Sequence, residues 1–422
     1  MTPDVQFLLL LAIIAVFFIT ELIPLAVTAM GGAIACGLLG FIPPKAVFAG
    51  LANSTVVLFA GMFVVGAAMF HTGLAQSIGK RVVLLFGTKE KNLMLGIMIV
   101  GAVLSGFLSN TGTTACLMPV VLGICAAAKL PASRQLLPLA FGVAFGGIFT
   151  IIGTPPNLIA SDTLAQAGFR PFGFFEFAYI GIPIAIAGII YMMFIGYRFL
   201  PKVTVDPNVE VEQEFEISSA SSNKQIISGL ILLGVVIVMA LELKSITLEM
   251  AAIIGAIIAV LTGCLSEKQA YASIDWVTIF LFAGMLSVST AMDKTGAGKL
   301  LAKLCVETLG GAPSPLFVTA LLFIVSCVLT QFMSNTATAT LICPIGLAIA
   351  AQINASPHAV LMSITIGIAC AYATPVGTPP NTLVLGPGGY RFMDYVKAGT
   401  PLILVSFIVS MIVIPIVWPF YK

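Results

Sequence analysis

The sequence predicts an all-α polytopic membrane protein built from two inverted repeats, each with five transmembrane helices, a re-entrant hairpin and one broken helix. Three observations carry this. First, 59% of the 422 residues are hydrophobic and only 9% are charged, where a soluble domain averages about 25% charged. Second, the polar stretch Ser109-Asn110-Thr111-Gly112-Thr113-Thr114 recurs in the second half as Ser334-Asn335-Thr336-Ala337-Thr338-Ala339, each time inside an apolar run. Third, Gly153-Thr154-Pro155-Pro156-Asn157 follows the first copy and Gly377-Thr378-Pro379-Pro380-Asn381 the second.

A helix needs about 20 apolar residues to cross a bilayer, and such runs recur along most of the chain, giving roughly ten crossings. Met1-Thr2-Pro3-Asp4 lacks the basic flank and cleavage site of a secretory signal, so a retained first helix is expected from about Val5. Residues 5–42 give two apolar segments split near Glu21 and Pro24, and residues 53–70 a third. Leu74 to Lys91 mixes Lys80, Arg81, Lys89 and Lys91 with Val82, Val83, Leu84, Leu85 and Phe86. That pattern predicts an amphipathic helix along the membrane surface.

From Asn92 to Ala128 no charged residue occurs, and the Ser109 break divides the run into two short arms, 92–108 and 115–128. At about 1.5 Å per residue neither comfortably spans a core of about 30 Å, so a hairpin entering and leaving on one side is expected. Residues 135–161 are also uncharged. There the tandem prolines should break the helix, because they remove two backbone donors beside a permissive Gly153. Phe174 to Leu200 gives a last long segment, and 203–225 reads as an acidic cytoplasmic linker.

The same order then recurs from Ile226, with Phe59-Ala60-Gly61-Met62 matching Phe282-Ala283-Gly284-Met285 and a second uncharged run over 308–390. The spacing between matched residues drifts slightly along the chain without any change of order, as duplication leaves it. Five crossings plus a hairpin that does not cross is an odd number, so the second unit must run in the opposite sense, and paired interruptions point to a transporter's binding site. The repeats are 1–202 and 226–422, with scaffold helices in 1–91 and 226–307 and hairpin plus broken helix in 92–202 and 308–422. Placing Lys80 and Arg81 in the cytoplasm puts most of the basic residues inside, the sense of the positive-inside rule. Both termini then face outward from a plasma (inner) membrane.

Irregular backbone at membrane depth persists where it lines a cavity or meets a ligand. Helix amino termini offer N–H donors to anions, while unwound carbonyls and side-chain oxygens suit Na⁺. Neither hairpin nor broken helix contains Lys or Arg, so an anion's charge must be compensated by helix dipoles and bound cations. A cation/proton antiporter would need a carboxylate at the midplane, which these segments lack. An intramembrane hydrolase would need a base beside Ser109 or Ser334, and the two histidines, His71 and His358, lie far from both in sequence. No enzymatic activity, metal cluster or nucleic-acid binding is expected, and the eight scattered cysteines read as buried thiols. Of the carboxylates Glu21, Asp162, Glu242, Glu249, Asp275 and Asp293, Glu21 is the one marked for a buried role.

Two Ser-Asn-Thr tips, each followed by Thr-Pro-Pro-Asn, resemble the divalent anion/sodium symporter family over nearly the whole chain. Many members begin with an extra helix that has no counterpart before Val5. The resemblance implies transport of a dicarboxylate, citrate or sulfate, C4-dicarboxylates such as succinate first, by a homodimer whose transport domain moves like an elevator against a scaffold. It implies substrate contacts from Ser109, Asn110, Thr111, Ser334, Asn335 and Thr336. It also implies two or more coupling Na⁺ ions, one held by Ser105, Ser109, Asn110 and Gly153 and another by Thr330, Asn335 and Gly377. Anion exchange without Na⁺, also found in the family, is the alternative.

Overall fold

The computed structural model describes residues 2–87, 89–203, 222–241, 243, 245–309 and 313–421. The first half runs α1 (Pro3–Thr20), α2 (Leu25–Leu38), two short 3-10 turns, α3 (Ser54–His71), α4 (Leu74–Phe86), α5 (Glu90–Ser105), α6 (Asn110–Ala128), α7 (Ser133–Gly146), α8 (Pro155–Gln166) and α9 (Ala178–Phe194). The second runs α10 (Ser222–Ala240), α11 (Leu248–Leu261), α12 (Glu267–Ala272), α13 (Trp276–Thr295), α14 (Ala297–Thr308), α15 (Pro315–Thr330), α16 (Asn335–Gln352), α17 (Pro357–Ala369), α18 (Pro379–Leu385) and α19 (Phe392–Val417). No strand occurs among the described residues. By length and apolarity α1, α3, α6, α10, α13 and α19 could each cross a membrane, and five further apolar helices are shorter.

Four expectations are corrected. The surface helix stops at Phe86, because Gly87 takes a left-handed φ of 79° that ends a helix, and Lys91 falls in α5 instead. The second hairpin arm is longer than expected: Ser109 caps α6 directly, accepting from the Gly112 N–H at 3.2 Å, so the helix runs 19 residues and length alone does not exclude a crossing. The tandem prolines do not lie in the break. They occupy the first turn of α8 and α18, where a missing N–H costs nothing, and the unwound stretches are 147–154 and 370–378. Finally, α10 begins at Ser222, inside the expected linker; residues 204–221 of that linker lie outside the described residues.

Repeated glycines set the packing. Gly61 of α3 lies against the Ala252 backbone of α11, and its twin Gly284 of α13 lies against the Ala29 backbone of α2, so a Cβ on either would come within 3 Å of its neighbour. Ala29 and Ala252 are themselves twins, separated along the chain by the same spacing as Gly61 and Gly284, so the two contacts are reciprocal. Phe59 meets its own twin Phe282 edge to face at 5.7 Å, which places this pair where the halves exchange. The hairpins repeat the device: Gly142 of α7 crosses α5 at the Met98 backbone, and Gly367 of α17 crosses α15 at the Phe323 backbone. Close approach of small residues is the usual basis of helix association where no water is displaced.

The beginning of α5 lies beside the beginning of α7. Arg134, in the first turn of α7, pairs with Glu90 at 2.8 Å, and the Gln135 amide donates to the Glu90 carbonyl at 3.1 Å. Between α5 and α6 the chain turns at 106–109. In the second half the Ser363 hydroxyl donates to the Thr319 carbonyl at 2.8 Å, setting the second turns of α15 and α17 side by side.

Candidate functional site

Both tips are built alike. Ser334 caps α16 by accepting from the Ala337 N–H at 3.1 Å, as Ser109 caps α6. One residue on, the Asn110 side-chain oxygen accepts from the Ser105 hydroxyl at 2.5 Å, and that of Asn335 accepts from the Thr330 hydroxyl at 2.6 Å. A hydroxyl oxygen at a helix carboxyl end is thereby paired with an amide oxygen at the next helix's amino end. The carboxyl end carries partial negative charge and the amino end partial positive. Each tip therefore favours a cation beside Ser105 or Thr330 and an anion beside the N–H groups that open α6 or α16.

The unwound stretches are equally matched. The Asn157 amide donates to the Gly147 and Thr150 carbonyls, both at 2.8 Å, and the Asn381 amide donates to the Ala371 and Thr374 carbonyls at the same two distances. Thr150 donates to the Gly106 carbonyl, and Thr374 to the Gln331 carbonyl, tying each break to its neighbouring tip. Asn157 and Asn381 thus satisfy carbonyls that a break would strand. Sequence reasoning misses this role, though the asparagine that closes both five-residue motifs is a signal for it.

The breaks and tips meet closely. A Cβ on Gly147 would fall 2.9 Å from the Asn110 side-chain oxygen, and one on Gly377 would fall 3.0 Å from the Thr330 carbonyl and from the Thr374 hydroxyl. Of the residues expected near the first cation, Ser105, Ser109 and Asn110 are together; Gly153 abuts the Gly147 carbonyl, and Gly147 is the glycine facing Asn110. Sequence reasoning misses Gly147 because its twin position holds Ala371, so the repeat does not mark it. Thr330 bonds Asn335 and faces Gly377, so these three lie together.

All of this opens into one cavity of about 1490 Å³. Ser109, Asn110, Thr111, Gly153, Ser334, Asn335, Thr336 and Gly377 line it, while Ser105 and Thr330 are fully buried behind their asparagines. The cavity extends past His71, Lys80, Gln269 and Asp275, so its mouth lies between the carboxyl end of α3 and the amino end of α13. Glu21 lies at that mouth and is exposed, not buried. His71 and His358 come into no group of three metal-ligating side chains among the described residues. Every described cysteine is unpaired, and all but the half-buried Cys305 are buried.

The prolines decide what each helix end offers. At α6 and α16 the capping serine takes one N–H and leaves those of the first turn directed at the cavity. At α8 and α18 the first two residues have no N–H, so the break presents carbonyl and hydroxyl oxygens instead. One cavity thus combines donors for an anion with oxygens for a hard cation.

A helical chain with paired unwound stretches around a central cavity defines a multi-pass membrane transporter. The comparisons narrow this. The chain belongs to the citrate transporter family, whose model matches residues 15–367. It is 30% identical to an uncharacterized transporter of Haemophilus influenzae, over 95% of this chain and 89% of that protein. It is 28% identical to the sodium-dependent dicarboxylate transporter SdcS of Staphylococcus saprophyticus, over 95% and 83%. Among solved structures, the YdaH transporter of Alcanivorax borkumensis superposes with a TM-score of 0.65 at 14% identity, over 99% of this chain and 98% of that one. The last likeness speaks to fold alone.

Proposed function

We propose that the protein is a secondary active transporter that takes up a divalent anion, a C4-dicarboxylate such as succinate, together with Na⁺. The observation that supports this most is the meeting of two matched tips and two matched breaks on one cavity with no basic side chain in any of the four segments. A dianion there is held by helix amino ends, hydroxyls and the amides of Asn110 and Asn335. Its charge in a low-dielectric site needs compensation. Cations at the Ser105–Asn110 and Thr330–Asn335 oxygen pairs supply it, so the ions and the anion bind more tightly together than apart. The Staphylococcus relative, a sodium-dependent dicarboxylate transporter by name, agrees with both substrate class and coupling ion.

The two halves act as inverted repeats. Scaffold helices 1–91 and 226–307 hold still while the hairpins and broken helices of 92–202 and 308–422 carry the site across as an elevator, in a homodimer. The reciprocal glycine contacts fit this division, since α3 packs on α11 and α13 on α2 within the scaffold, and α5 on α7 and α15 on α17 within the moving part. With both termini outside, the cavity mouth at His71 and Lys80 faces the cytoplasm, an inward-open arrangement on this reading.

The test is uptake of labelled succinate, citrate and sulfate into proteoliposomes, with an inward Na⁺ gradient or with choline replacing Na⁺. Succinate uptake that needs Na⁺ is expected. Full uptake in choline defeats Na⁺ coupling, and counterflow against internal succinate then tests exchange. The match to a citrate transporter model makes citrate the competitor to include. Cross-linking in native membranes tests the dimer.

A further inference from the structure

At the end of α3 remote from the cavity mouth, the chain makes a contact that has no counterpart among the described residues of the other half. Asp162, near the end of α8, accepts from the Asn53 amide at 3.3 Å and from the Thr55 hydroxyl at 3.2 Å, and Gln166 donates to its second oxygen. Asn53 is the residue that caps α3, through the Thr55 N–H at 2.7 Å. One carboxylate thus joins the far end of the first broken helix to the amino end of a scaffold helix. In the second half, with the two Thr-Pro-Pro-Asn motifs aligned, the position matching Asp162 is Gly386, which has no side chain to offer. The cap of α13, Asp275, is occupied by its own helix, accepting from the Thr278 N–H at 3.2 Å and from its hydroxyl at 2.6 Å. Asp275, Thr278 and Thr382 of α18 all line the open cavity.

The two ends of the molecule are therefore in opposite conditions: α8 is fastened to α3 where the site is shut, and α18 stands away from α13 where it is open. Resting on the alternating-access reading above, we propose that Asp162, through Asn53 and Thr55, is the outer latch that holds the transporter in its inward-open state. The mouth has no equivalent latch because Gly386 cannot make one. Opening outward must break two hydrogen bonds to a carboxylate, whereas opening inward breaks none of that kind. The carrier is thereby biased to rest facing the cytoplasm.

The experiment follows a cysteine introduced at Thr382, Thr382→Cys, labelled by a membrane-impermeant maleimide in inside-out vesicles and compared with the same protein lacking it. In Asp162→Ala and Asn53→Ala the inward-to-outward ratio should fall about tenfold, which slows labelling about twofold for a carrier that starts at about ten to one inward. The double variant should be no slower than Asp162→Ala, and Asp162→Asn, which keeps one acceptor oxygen, should fall between. Should Asp162→Ala fail to insert, Asn53→Ala and Thr55→Val probe the same contact from the other side. Unchanged or faster labelling in variants of a protein that transports overturns the latch. If labelling of Thr382→Cys alone never responds to succinate plus Na⁺ and no uptake occurs, the alternating site itself is wrong and the latch falls with it.

Discussion

The two tips are the same device in different settings. Ser109 and Thr111 are exposed to the cavity, whereas Ser334 and Asn335 are half-buried and Thr336 is buried. Behind the first tip stands Gly106; behind the second, at the same offset, stands Gln331. The Gln331 amide donates to the Cys327 carbonyl at 2.9 Å and the Cys370 carbonyl at 3.1 Å, and its oxygen accepts from the Ala373 N–H at 3.1 Å. The second tip is thus stitched to its break by a side chain that the first lacks. Conversely, the first tip carries Gly112 where the second carries Ala337, and a Cβ at Gly112 would fall 2.4 Å from the Phe70 ring of α3. One tip is braced internally; the other lies close under the Phe70 ring of α3.

Despite this difference the matched hydroxyl–amide pairs should be equally indispensable. Asn110→Ala and Asn335→Ala should each reduce Na⁺-driven succinate uptake to background, and intact uptake in either sinks the assignment of that tip. Ser105→Ala and Thr330→Val leave the asparagine but remove the other oxygen of each pair, which both faces the ion and orients the amide. Loss of an orienting partner alone typically costs about 10–100-fold in ion affinity, so at least that loss is expected. The apparent Na⁺ affinity of uptake should weaken accordingly in both, and a change in one alone would mean that a single tip binds the coupling ion.

Gly112 separates the tips more sharply. Gly112→Ala should impair transport by about tenfold or more, since overpacking a close contact costs roughly 1–3 kcal/mol and here falls between the tip and the Phe70 ring of α3. Ala337→Gly should change uptake little. If Phe70→Ala restores transport to Gly112→Ala, the contact is the cause; if it does not, the glycine serves the tip's own backbone.

Much of this could be read from the chain because duplication wrote it twice. The tips, the breaks and the Phe-Ala-Gly-Met helices all stand out as recurring letters, and the structure assigns each recurrence a contact: cap, unwound stretch, glycine crossing. What recurrence could not mark was where the halves differ. Gly147 faces Asn110 from a position that is Ala371 in the twin, and Gln331 replaces Gly106, so neither repeats. The prolines mislead for a related reason. Their missing N–H groups signal a break nearby, but a helix tolerates them in its first turn, so the unwound residues lie just before them. The contact between Asp162 and Asn53 joins residues far apart in the chain, and no local pattern predicts it.

Gln331 tests the bracing of the second tip. Gln331→Leu keeps the volume but strands the half-buried Ala373 N–H, which costs up to about 1–3 kcal/mol, the value for a fully buried group. A lowered melting temperature in detergent is expected, with a smaller loss at saturating Na⁺ and succinate, which hold the same tip by linkage. An unaltered melting temperature would show that the second tip stands without its brace.

The smallest expected effect lies just before α9, at a motif that the second half repeats before α19 and then varies. Glu176 accepts from the Gly173 N–H at 2.8 Å just before α9, and Asp394 accepts from the Arg391 N–H at 2.7 Å as α19 begins. The two carboxylates hold matching places, shortly ahead of Gly181-Ile182-Pro183 and Gly399-Thr400-Pro401. Glu176 alone gains further partners, the Arg170 guanidinium at 2.8 Å on both oxygens and the Trp418 indole N–H at 2.8 Å. Burial pushes its carboxyl up, but the bonds from Arg170, Gly173 and Trp418 outweigh burial and hold it below the usual glutamate value of 4.5. A carboxylate depressed in the folded state stabilises above its unfolded pKa and loses that contribution as pH falls through the folded value. Glu176→Gln should therefore be less stable than the parent at neutral pH, and the gap in melting temperature should close below about pH 4.5, taking the ordinary glutamate value as the unfolded reference. A gap that stays constant through acid would mean that shape, not charge, ties Trp418 to this loop.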